Sequence, residues 1–252
     1  MTQQWKTVNV LGIPFSKMDM TETTQWITKR LHTLRTDMAH THHIVTANPE
    51  IVMFTTRDAE LKRIVQDADL VTPDGTGIVW AANHLGDPVP ERVAGYDMLH
   101  QVCQTSQEKP FSVYILGANE EVNRKAAEKI RALYPQIDVV GRKNGYYHPD
   151  DEEAIVRQIN AAKPDLLLVA LGCPRQEQWI AKYKETLQAK VAIGVGGSLD
   201  VLAGEVKRAP VLWQKLRLEW LHRLLSQPSR WKRQLDLPRF VLKVRKAKNS
   251  EK

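Results

Sequence analysis

The sequence predicts an α/β fold in which a mainly parallel sheet is layered between flanking helices, followed by a basic amphipathic C-terminal helical appendage. Up to about residue 202, short apolar, β-branched runs alternate with longer helical patterns, which is typical of a parallel sheet. Several runs are apolar throughout, as strands covered on both faces usually are. After residues 206–210 the composition changes to Trp and Leu interleaved with Arg and Lys. We therefore divide the chain into an α/β domain at 1–202 and a helical appendage at 203–252.

Seven apolar runs are predicted to be strands, and six windows with helical patterning accompany them. The strands are predicted at 7–11, 43–46, 70–72, 112–116, 137–141, 166–171 and 191–195. The helices are predicted at 21–34, 50–68, 96–106, 120–133, 150–161 and 175–185. In the appendage we expect helices at about 210–226 and 229–247, because Pro228 lacks an N–H and restrains the residue before it.

The composition excludes several classes of protein. The 252 residues are 42% hydrophobic and 26% charged, with 13 Gly and 13 Pro, which excludes a disordered or fibrous chain. No apolar stretch reaches the ~18 residues of a membrane span, and the N-terminus lacks the pattern of a secretory signal. Cys103 and Cys173 have no CxxC spacing, so they indicate neither a disulfide framework nor a zinc site. We expect a cytoplasmic protein.

Positive charge is concentrated in the appendage. Residues 203–252 hold 14 Lys and Arg against 4 Asp and Glu, a net charge of +10, whereas the whole chain carries +7. Basic helices that also carry Trp and Leu suit an anionic membrane surface, although solvated helix faces explain the charge as well. Nucleic acid is the rival polyanion, but no recognised nucleic-acid motif accompanies the charge. We therefore expect an anionic membrane surface, and no nucleic acid, as a partner.

Polar loops follow five of the predicted strands. In open α/β sheets, ligands normally bind at this carboxyl edge. Each loop carries Gly or Pro together with polar side chains, which is more than a connection needs. The loops cover residues 46–50, 72–76, 116–119, 171–177 and 194–200.

Asp74 lies in one of these loops and has two interpretations. Pro73 and Gly75 supply turn chemistry, and an aspartate in a turn commonly binds nearby backbone amides. Alternatively, a carboxylate beside Thr46 and Asn48 of the neighbouring loop accepts a proton from a substrate hydroxyl. The residues alone leave both interpretations open.

The loop at 194–200 resembles a phosphate-binding glycine loop, because residues without a Cβ let backbone N–H groups approach an anion. It lacks the spacing of both common nucleotide-binding fingerprints. Asp200 would repel a phosphate but accept hydrogen bonds from a ribose or base, and a helix-capping role explains it equally well.

Two patterns in the sequence suggest a metal ion. Asp67-Ala-Asp69 matches the DxD pattern of many sugar-nucleotide transferases, but it ends a helical window instead of following a strand, which favours a solvated helix end. His40, His42 and His43 lack a ligand spacing on one helix face, which favours a surface or strand-edge position. We therefore expect no metal ligands and no cofactor.

Three arginines of the appendage have a structural and a functional interpretation. In the structural interpretation, the arginines lie on solvated faces of amphipathic helices. In the functional interpretation, they bind a pyrophosphate, because arginine forks hold phosphate bidentately without a metal ion. These residues are Arg223, Arg230 and Arg233.

Eight motifs, taken in order, resemble the WecG/TagA/CpsF family of bacterial glycosyltransferases, most closely its TagA-type members. The resemblance spans roughly residues 8–240. The motifs are TANPE at 46–50, PDG at 73–75, RVAGYD at 92–97, GY at 145–146, ALGCPRQE at 170–177, GVGGSLD at 194–200, VKRAP at 206–210 and LEWLHR at 218–223.

The resemblance implies an activity. TagA-type members transfer N-acetylmannosamine from UDP-N-acetylmannosamine to the 4-hydroxyl of N-acetylglucosaminyl-diphospho-undecaprenol, a β-1,4 linkage, in wall teichoic acid linkage-unit synthesis. The expected partners are thus a UDP-sugar donor and an undecaprenyl-diphosphate-linked acceptor. The expected location is the cytoplasm, with peripheral association at the inner face of the cell membrane. WecG-type members use the corresponding uronic acid donor, UDP-N-acetylmannosaminuronic acid, which is the alternative. A non-enzymatic, basic membrane-surface adaptor is the rival class, and it leaves the five polar loops unexplained.

The resemblance also implies roles for individual residues. Asp74 matches the family's proposed general base, and Thr46 matches a threonine that helps to position substrate. The nucleotide-sugar pocket is expected to include Asn48, Tyr146, Gln176, Gly196 and Asp200. Arginines that complete the active site and contact a diphosphate are matched by Arg223, Arg230 and Arg233. The family is described as inverting and metal-independent, and the oligomeric state stays open, a homo-oligomer included.

Overall fold

The centre of the fold is a six-stranded sheet in which all strands are parallel. The structure, a computed structural model, describes residues 5–210, 213, 219, 221 and 235–250. The strands are β1 (Thr7–Val10), β2 (Ile13–Ser16), β3 (His42–Ala47), β4 (Leu70–Pro73), β5 (Phe111–Gly117), β6 (Ile137–Lys143), β7 (Leu166–Ala170) and β8 (Val191–Gly194). The sheet has the order β4-β3-β8-β7-β5-β6, and β1 and β2 form a separate antiparallel hairpin. The predicted α/β fold with a mainly parallel sheet is confirmed.

Helices cover both faces of the sheet. They are α1 (Met20–Leu31), α2 (Pro49–Thr55), α3 (Ala59–Gln66), α4 (Thr76–Leu85), α5 (Gly95–Gln104), α6 (Glu120–Leu133), α7 (Glu152–Ala162), α8 (Arg175–Tyr183), α9 (Ser198–Leu202) and the C-terminal helix (Asp236–Ser250). Short 3₁₀ helices lie at Arg35–Asp37, Thr105–Gln107 and Pro149–Asp151. Within the described ranges, no helix combines the length and the apolar character needed to cross a membrane.

The strands supply side chains to cores on both faces, because successive residues of a strand point to opposite sides. Ile44 packs with residues of α1, α5, α6 and α9. Its neighbour Val45 packs on the other face with α2, α3, α4 and the β1–β2 hairpin. A third core joins β5 and β7 to α7 and α8. The result is a three-layer arrangement of helices, sheet and helices.

Three elements differ from the sequence prediction. The predicted helix at 50–68 is two helices, because the Asp58 side chain caps α3 by accepting from the N–H groups of Glu60 and Leu61, both at 2.9 Å. The hairpin strand β2 contains Pro14, a residue that argues against a strand in sequence. Helix α4 begins after Gly75 with no capping side chain and no acidic first turn, so it lacks the usual signals of a helix start.

The C-terminal helix packs on the α/β body. Phe240 and Val244 are buried in the same core as residues of α2 and α4. Arg57, in the loop that follows α2, donates two hydrogen bonds to Asp236, at 3.0 and 2.6 Å. Most of the predicted helix at 210–226 lies outside the described residues, as do residues 229–234 of the second helix. The domain boundary at 202–203 therefore stays a prediction.

The docking of the C-terminal helix can be tested by comparing two of its apolar residues. Phe240→Ala should lower the free energy of unfolding by about 3–5 kcal/mol, because a buried aromatic ring is lost from a packed core. Leu242 lies two positions away and is 65% exposed, so Leu242→Ala should change stability by no more than about 0.5 kcal/mol. Denaturant unfolding of the two variants measures the difference. Equal losses would contradict the docked position of this helix.

Candidate active site

A cleft of about 870 Å³ opens at the carboxyl ends of the parallel strands. Residues at the ends of these strands, or in the loops that follow them, form most of its lining. The C-terminal helix adds apolar side chains to the wall, namely Leu237, Pro238, Phe240 and Val241. The volume suits a small-molecule site, and ligands bind at this edge of open α/β sheets.

The predicted site residues that the structure describes all line this cleft. They come from the ends of five different strands, which meet at one edge because the strands are parallel. These residues are Thr46, Asn48, Asp74, Tyr146, Gln176, Gly196 and Asp200. The predicted arginines lie outside the described residues, namely Arg223, Arg230 and Arg233.

Asp74 directly follows β4 and is held by backbone contacts. Its own N–H donates to the carbonyl of Ala47 at 3.0 Å, which ties the end of β4 to the end of β3. Gly75 has a φ of +100°, a conformation that favours glycine, and it begins the turn into α4. The Oδ2 atom of Asp74 accepts from the N–H of Gly95 at 3.2 Å. With 26% of its side chain exposed, the carboxylate is both oriented and accessible from the cleft.

Arg92 is a cation beside Asp74 that was not singled out from the sequence. Its Nε lies 3.6 Å from Oδ1 of Asp74, and its Nη1 donates to Oε2 of Glu219. Burial disfavours the charged guanidinium, but Asp74 and Glu219 outweigh burial and raise the pKa of Arg92 above its ordinary value. Arg92 therefore stays protonated next to the Asp74 carboxylate.

Arg208 is a second cation in the cleft wall. Its two terminal nitrogens donate to the carboxylate of Asp97, each at 2.7 Å, and its Nε lies 3.6 Å from Oε1 of Glu219. Its guanidinium carbon also lies 5.2 Å from the ring centroid of Tyr96. Glu219 therefore contacts two cations of the cleft, Arg92 and Arg208.

Thr46 lies near the end of β3, under the start of α5. Its hydroxyl donates to the carbonyl of Gly194 on the neighbouring strand at 3.2 Å. A Cβ atom on Gly95 would lie 3.2 Å from the Thr46 side chain, tighter than most contacts of real Cβ atoms. The glycine lets α5 begin this close to β3, and it is the same residue whose N–H binds Asp74.

Gln176 and Glu177 form a buried polar pair at the start of α8. Gln176 Nε2 donates to Glu177 Oε1 at 2.8 Å, and the two residues are 4% and 1% exposed. Burial raises the pKa of the Glu177 carboxyl above its ordinary value, although the hydrogen bond from Gln176 opposes this. The other amide atom, Gln176 Oε1, has no hydrogen-bond partner among the described residues. This oxygen is buried next to Gly196 and keeps an unused capacity to accept a hydrogen bond.

Asn48, Tyr146 and Asp200 line the cleft from three other positions. The Asn48 side chain caps α2 by accepting from the N–H of Ile51 at 3.0 Å. Tyr146 is 82% exposed. Asp200 lies in the short helix α9, directly after the glycine loop. Capping is thus a structural role of Asn48, and ligand binding by these three residues stays a prediction.

The DxD pattern lies at the opposite edge of the sheet from the cleft. Asp67 is the C-cap that follows α3, and Asp69 directly precedes β4. Burial opposes ionisation of Asp69, but hydrogen bonds from His42, His40 and the backbone of His43 outweigh burial and lower the pKa of its carboxyl below its ordinary value. Because Asp67 and Asp69 both lie at this opposite edge of the sheet, a metal ion held by them would lie away from the cleft.

The three neighbouring histidines lie at the same edge as Asp69. His42 and His43 are the first two residues of β3, and His40 precedes the strand. His40 and His42 are partly exposed, whereas His43 is buried. The predicted surface position is therefore wrong for His43, because helices cover both faces of β3. This burial lowers the pKa of the His43 imidazole to about 3.

Comparison with known proteins places the chain in a family. A sequence model of the glycosyl transferase WecG/TagA/CpsF family matches residues 8–252, nearly the full length. The chain belongs to this family.

Relatives within the WecG/TagA/CpsF family carry the name N-acetylglucosaminyldiphosphoundecaprenol N-acetyl-beta-D-mannosaminyltransferase. The protein of Bacillus spizizenii is 36% identical over 235 residues, which are 92% of this chain and 90% of the relative. That of Bacillus subtilis is 36% identical over 209 residues, 83% of this chain and 81% of the relative. That of Staphylococcus aureus is 34% identical over 245 residues, 97% of this chain and 94% of the relative.

This WecG/TagA/CpsF member has charged cleft residues that the pattern of its sequence does not single out. Arg92 and Arg208 lie within quoted motifs, RVAGYD and VKRAP, but their carboxylate partners come from distant parts of the chain. Glu177 follows Gln176 in ALGCPRQE, and nothing in that motif shows which of its side chains is buried. Together, the cleft offers a fixed carboxylate, two paired arginines and an unpartnered amide oxygen, which suit proton abstraction and binding of a polar ligand.

Proposed function

We propose that this chain transfers N-acetylmannosamine from UDP-N-acetylmannosamine to the 4-hydroxyl of N-acetylglucosaminyl-diphospho-undecaprenol, with inversion. The observation that carries the proposal is the Asp74 carboxylate, which Gly95 and Arg92 hold in a cleft of about 870 Å³. The names of relatives that are 34–36% identical over most of the chain support this sugar and this acceptor.

In the proposed reaction, Asp74 accepts the proton of the acceptor hydroxyl as that oxygen attacks the anomeric carbon. The new C–O bond forms on the face opposite the breaking bond to UDP, so the anomeric configuration inverts in one displacement. An aspartate carboxylate is ordinarily ionised at neutral pH, so the base needs only to be placed. The contacts from Arg92 and Gly95 provide that placement.

The departing UDP carries negative charge on its diphosphate. Arg92 and Arg208 already contact carboxylates, so they are not the cations we assign to this charge. We assign it to the appendage arginines, because preorganised cations stabilise charge that develops in a transition state. These are Arg223, Arg230 and Arg233. In this proposal they take the place that a divalent ion has in other transferases.

The donor is proposed to lie along the predicted pocket residues, with Thr46 helping to position it. The Oε1 atom of Gln176 has no partner among the described residues and can only accept a hydrogen bond, so it suits a hydroxyl or an N–H of the donor. A carboxylate at that position would be repelled, which argues against a uronic acid carboxylate there. The other pocket residues are Asn48, Tyr146, Gly196 and Asp200.

We propose that the chain acts at the inner face of the cell membrane. A polyprenyl acceptor stays in the bilayer, so the catalytic α/β domain, 1–202, has to reach it. The appendage at 203–252, with a net charge of +10, would attract anionic lipids. The exposed Leu242, flanked by basic side chains of the C-terminal helix, suits the same surface.

The test is a reaction with defined substrates. The purified chain, UDP-N-acetylmannosamine and a short-chain acceptor should give a product heavier by one N-acetylhexosamine, detected by mass spectrometry, and product should still form in EDTA. UDP should also raise the melting temperature. A membrane adaptor would form no product and ignore UDP. If product formed only from UDP-N-acetylmannosaminuronic acid, the proposed donor would be wrong, but the chain would still be a glycosyltransferase.

A further inference from the structure

Three side chains with metal-binding chemistry converge at the amino-terminal edge of the sheet. His42 begins β3, Asp69 directly precedes β4, and His40 lies in the loop before β3. Because β3 and β4 are parallel neighbours, their starts meet at the edge opposite the cleft. In the part of the chain that the structure describes, this is the one group of three such residues whose ligand atoms all lie within 4.8 Å of one another.

Two of the three distances between ligand atoms in this cluster are close to those around a tetrahedral ion, and the ligand atoms of the two histidines lie within 4.8 Å of each other. Asp69 Oδ1 lies 2.9 Å from His40 Nε2 and 3.3 Å from His42 Nδ1. Ligand atoms at ~2.0–2.1 Å from zinc in a tetrahedral site are roughly 3.3 Å apart. Small rotations of the three side chains would therefore be enough to place an ion between them.

The carboxylate of Asp69 is already oriented by a second contact. Its Oδ2 accepts from the backbone N–H of His43 at 2.9 Å, which leaves Oδ1 directed at the two imidazoles. Trp26 also packs edge-on against the His42 ring, with centroids 5.8 Å apart. Outer contacts of this kind hold metal ligands in place before an ion binds.

Solvent reaches the cluster, and the Arg30 guanidinium lies near it. The exposed fractions of the side chains are 23% for His40, 14% for His42 and 18% for Asp69, so a metal ion can enter and a water molecule can bind it. Arg30 stacks on Trp26 and interacts electrostatically with Asp69. This positive charge opposes a second cation, so we expect weaker binding than at sites built from thiolates.

We propose that His40, His42 and Asp69 form a zinc site with water as the fourth ligand. Two imidazoles and a carboxylate are typical ligands of this ion. On binding, the ring nitrogens that face Asp69 would give their lone pairs to zinc, with the ring proton of each histidine on its other nitrogen. The ion would link the loop before β3 to the starts of two strands. It would stabilise this edge of the sheet and leave the chemistry of the cleft unchanged.

The test adds zinc alone to metal-free, full-length protein. Isothermal titration should show one equivalent of Zn²⁺ bound, and Co²⁺ should give the visible absorption of a tetrahedral site. His40→Gln keeps a hydrogen-bonding side chain but removes an imidazole ligand, so we expect the zinc affinity to fall by at least about 10-fold. His84→Gln is the matched control, because His84 lies on α4 and stacks on Trp80. It should bind zinc as the wild type does.

A second variant guards against misfolding. Asp69→Asn keeps the shape of the side chain and should lose zinc affinity to a similar extent. Excess zinc should raise the melting temperature of the wild type but not of His40→Gln. If Asp69→Asn is unstable without zinc, the test rests on His40→Gln alone. His40 lies in a loop, so its replacement should not prevent folding. The proposal is wrong if the wild type binds no stoichiometric zinc, or if His40→Gln binds zinc as tightly as the wild type.

Discussion

Replacing Asp74 with asparagine should lower the rate of transfer by about 10²- to 10⁴-fold, the usual range when a general base is removed. Asparagine keeps the size of the side chain and an oxygen that can accept from Gly95, as Oδ2 of Asp74 does at 3.2 Å. The loop should therefore hold its shape. UDP affinity, measured by titration calorimetry, should change little, so the loss should appear in the turnover rate at saturating substrate.

Asp138→Asn is the matched control for this substitution. Asp138 is an exposed residue near the start of β6, at the edge of the sheet away from the cleft. The Asp138→Asn variant loses the same charge as Asp74→Asn and should transfer the sugar at the wild-type rate. If Asp74→Asn retained activity within a few-fold of the wild type, the base would have to be another residue.

Replacing the appendage arginines together by alanine should abolish most transfer, even with a water-soluble acceptor that needs no membrane. Loss of one group that stabilises transition-state charge typically lowers the rate by about 10²- to 10³-fold, so a triple loss should reach at least that range. The residues are Arg223, Arg230 and Arg233. Product formation with the soluble acceptor is the measurement.

A second triple variant separates catalysis from membrane binding. Lys243, Arg245 and Lys248 lie on the C-terminal helix, and replacing them by alanine removes the same three charges. Each basic residue near an anionic surface contributes about 1 kcal/mol, so both triple variants should bind anionic vesicles on the order of 10²-fold more weakly. Only the arginine variant should lose activity on the soluble acceptor. Equal activity of the two variants would show that the arginines serve only to bind the membrane.

The layers of the fold were predictable because buried parallel strands are apolar throughout and alternate with helices. The sequence does not reveal where a helix docks, since amphipathic patterning shows an apolar face but not its partner. The C-terminal helix was therefore predicted as an appendage, and the burial of Phe240 and Val244 became visible only in the structure.

The cleft residues were predictable because they follow strands whose ends meet at one edge. The contacts among charged groups were not, since the partners are far apart in sequence. Arg92 and Glu219 are 127 positions apart. The same holds for His42 and Asp69, whose approach depends on the pairing of β3 with β4 and not on spacing along a helix.

The central position of β8 has a consequence for a chain that is still being synthesised. This strand lies between β3 and β7, yet it follows every other strand in sequence. A ribosome that has passed residue 170 but not reached residue 191 has made only the strands of two half-sheets, β4–β3 and β7–β5–β6, each with an unpaired apolar edge. Such edges pair readily with other chains. A stop codon upstream of β8 should therefore yield an aggregating fragment and not a smaller working enzyme.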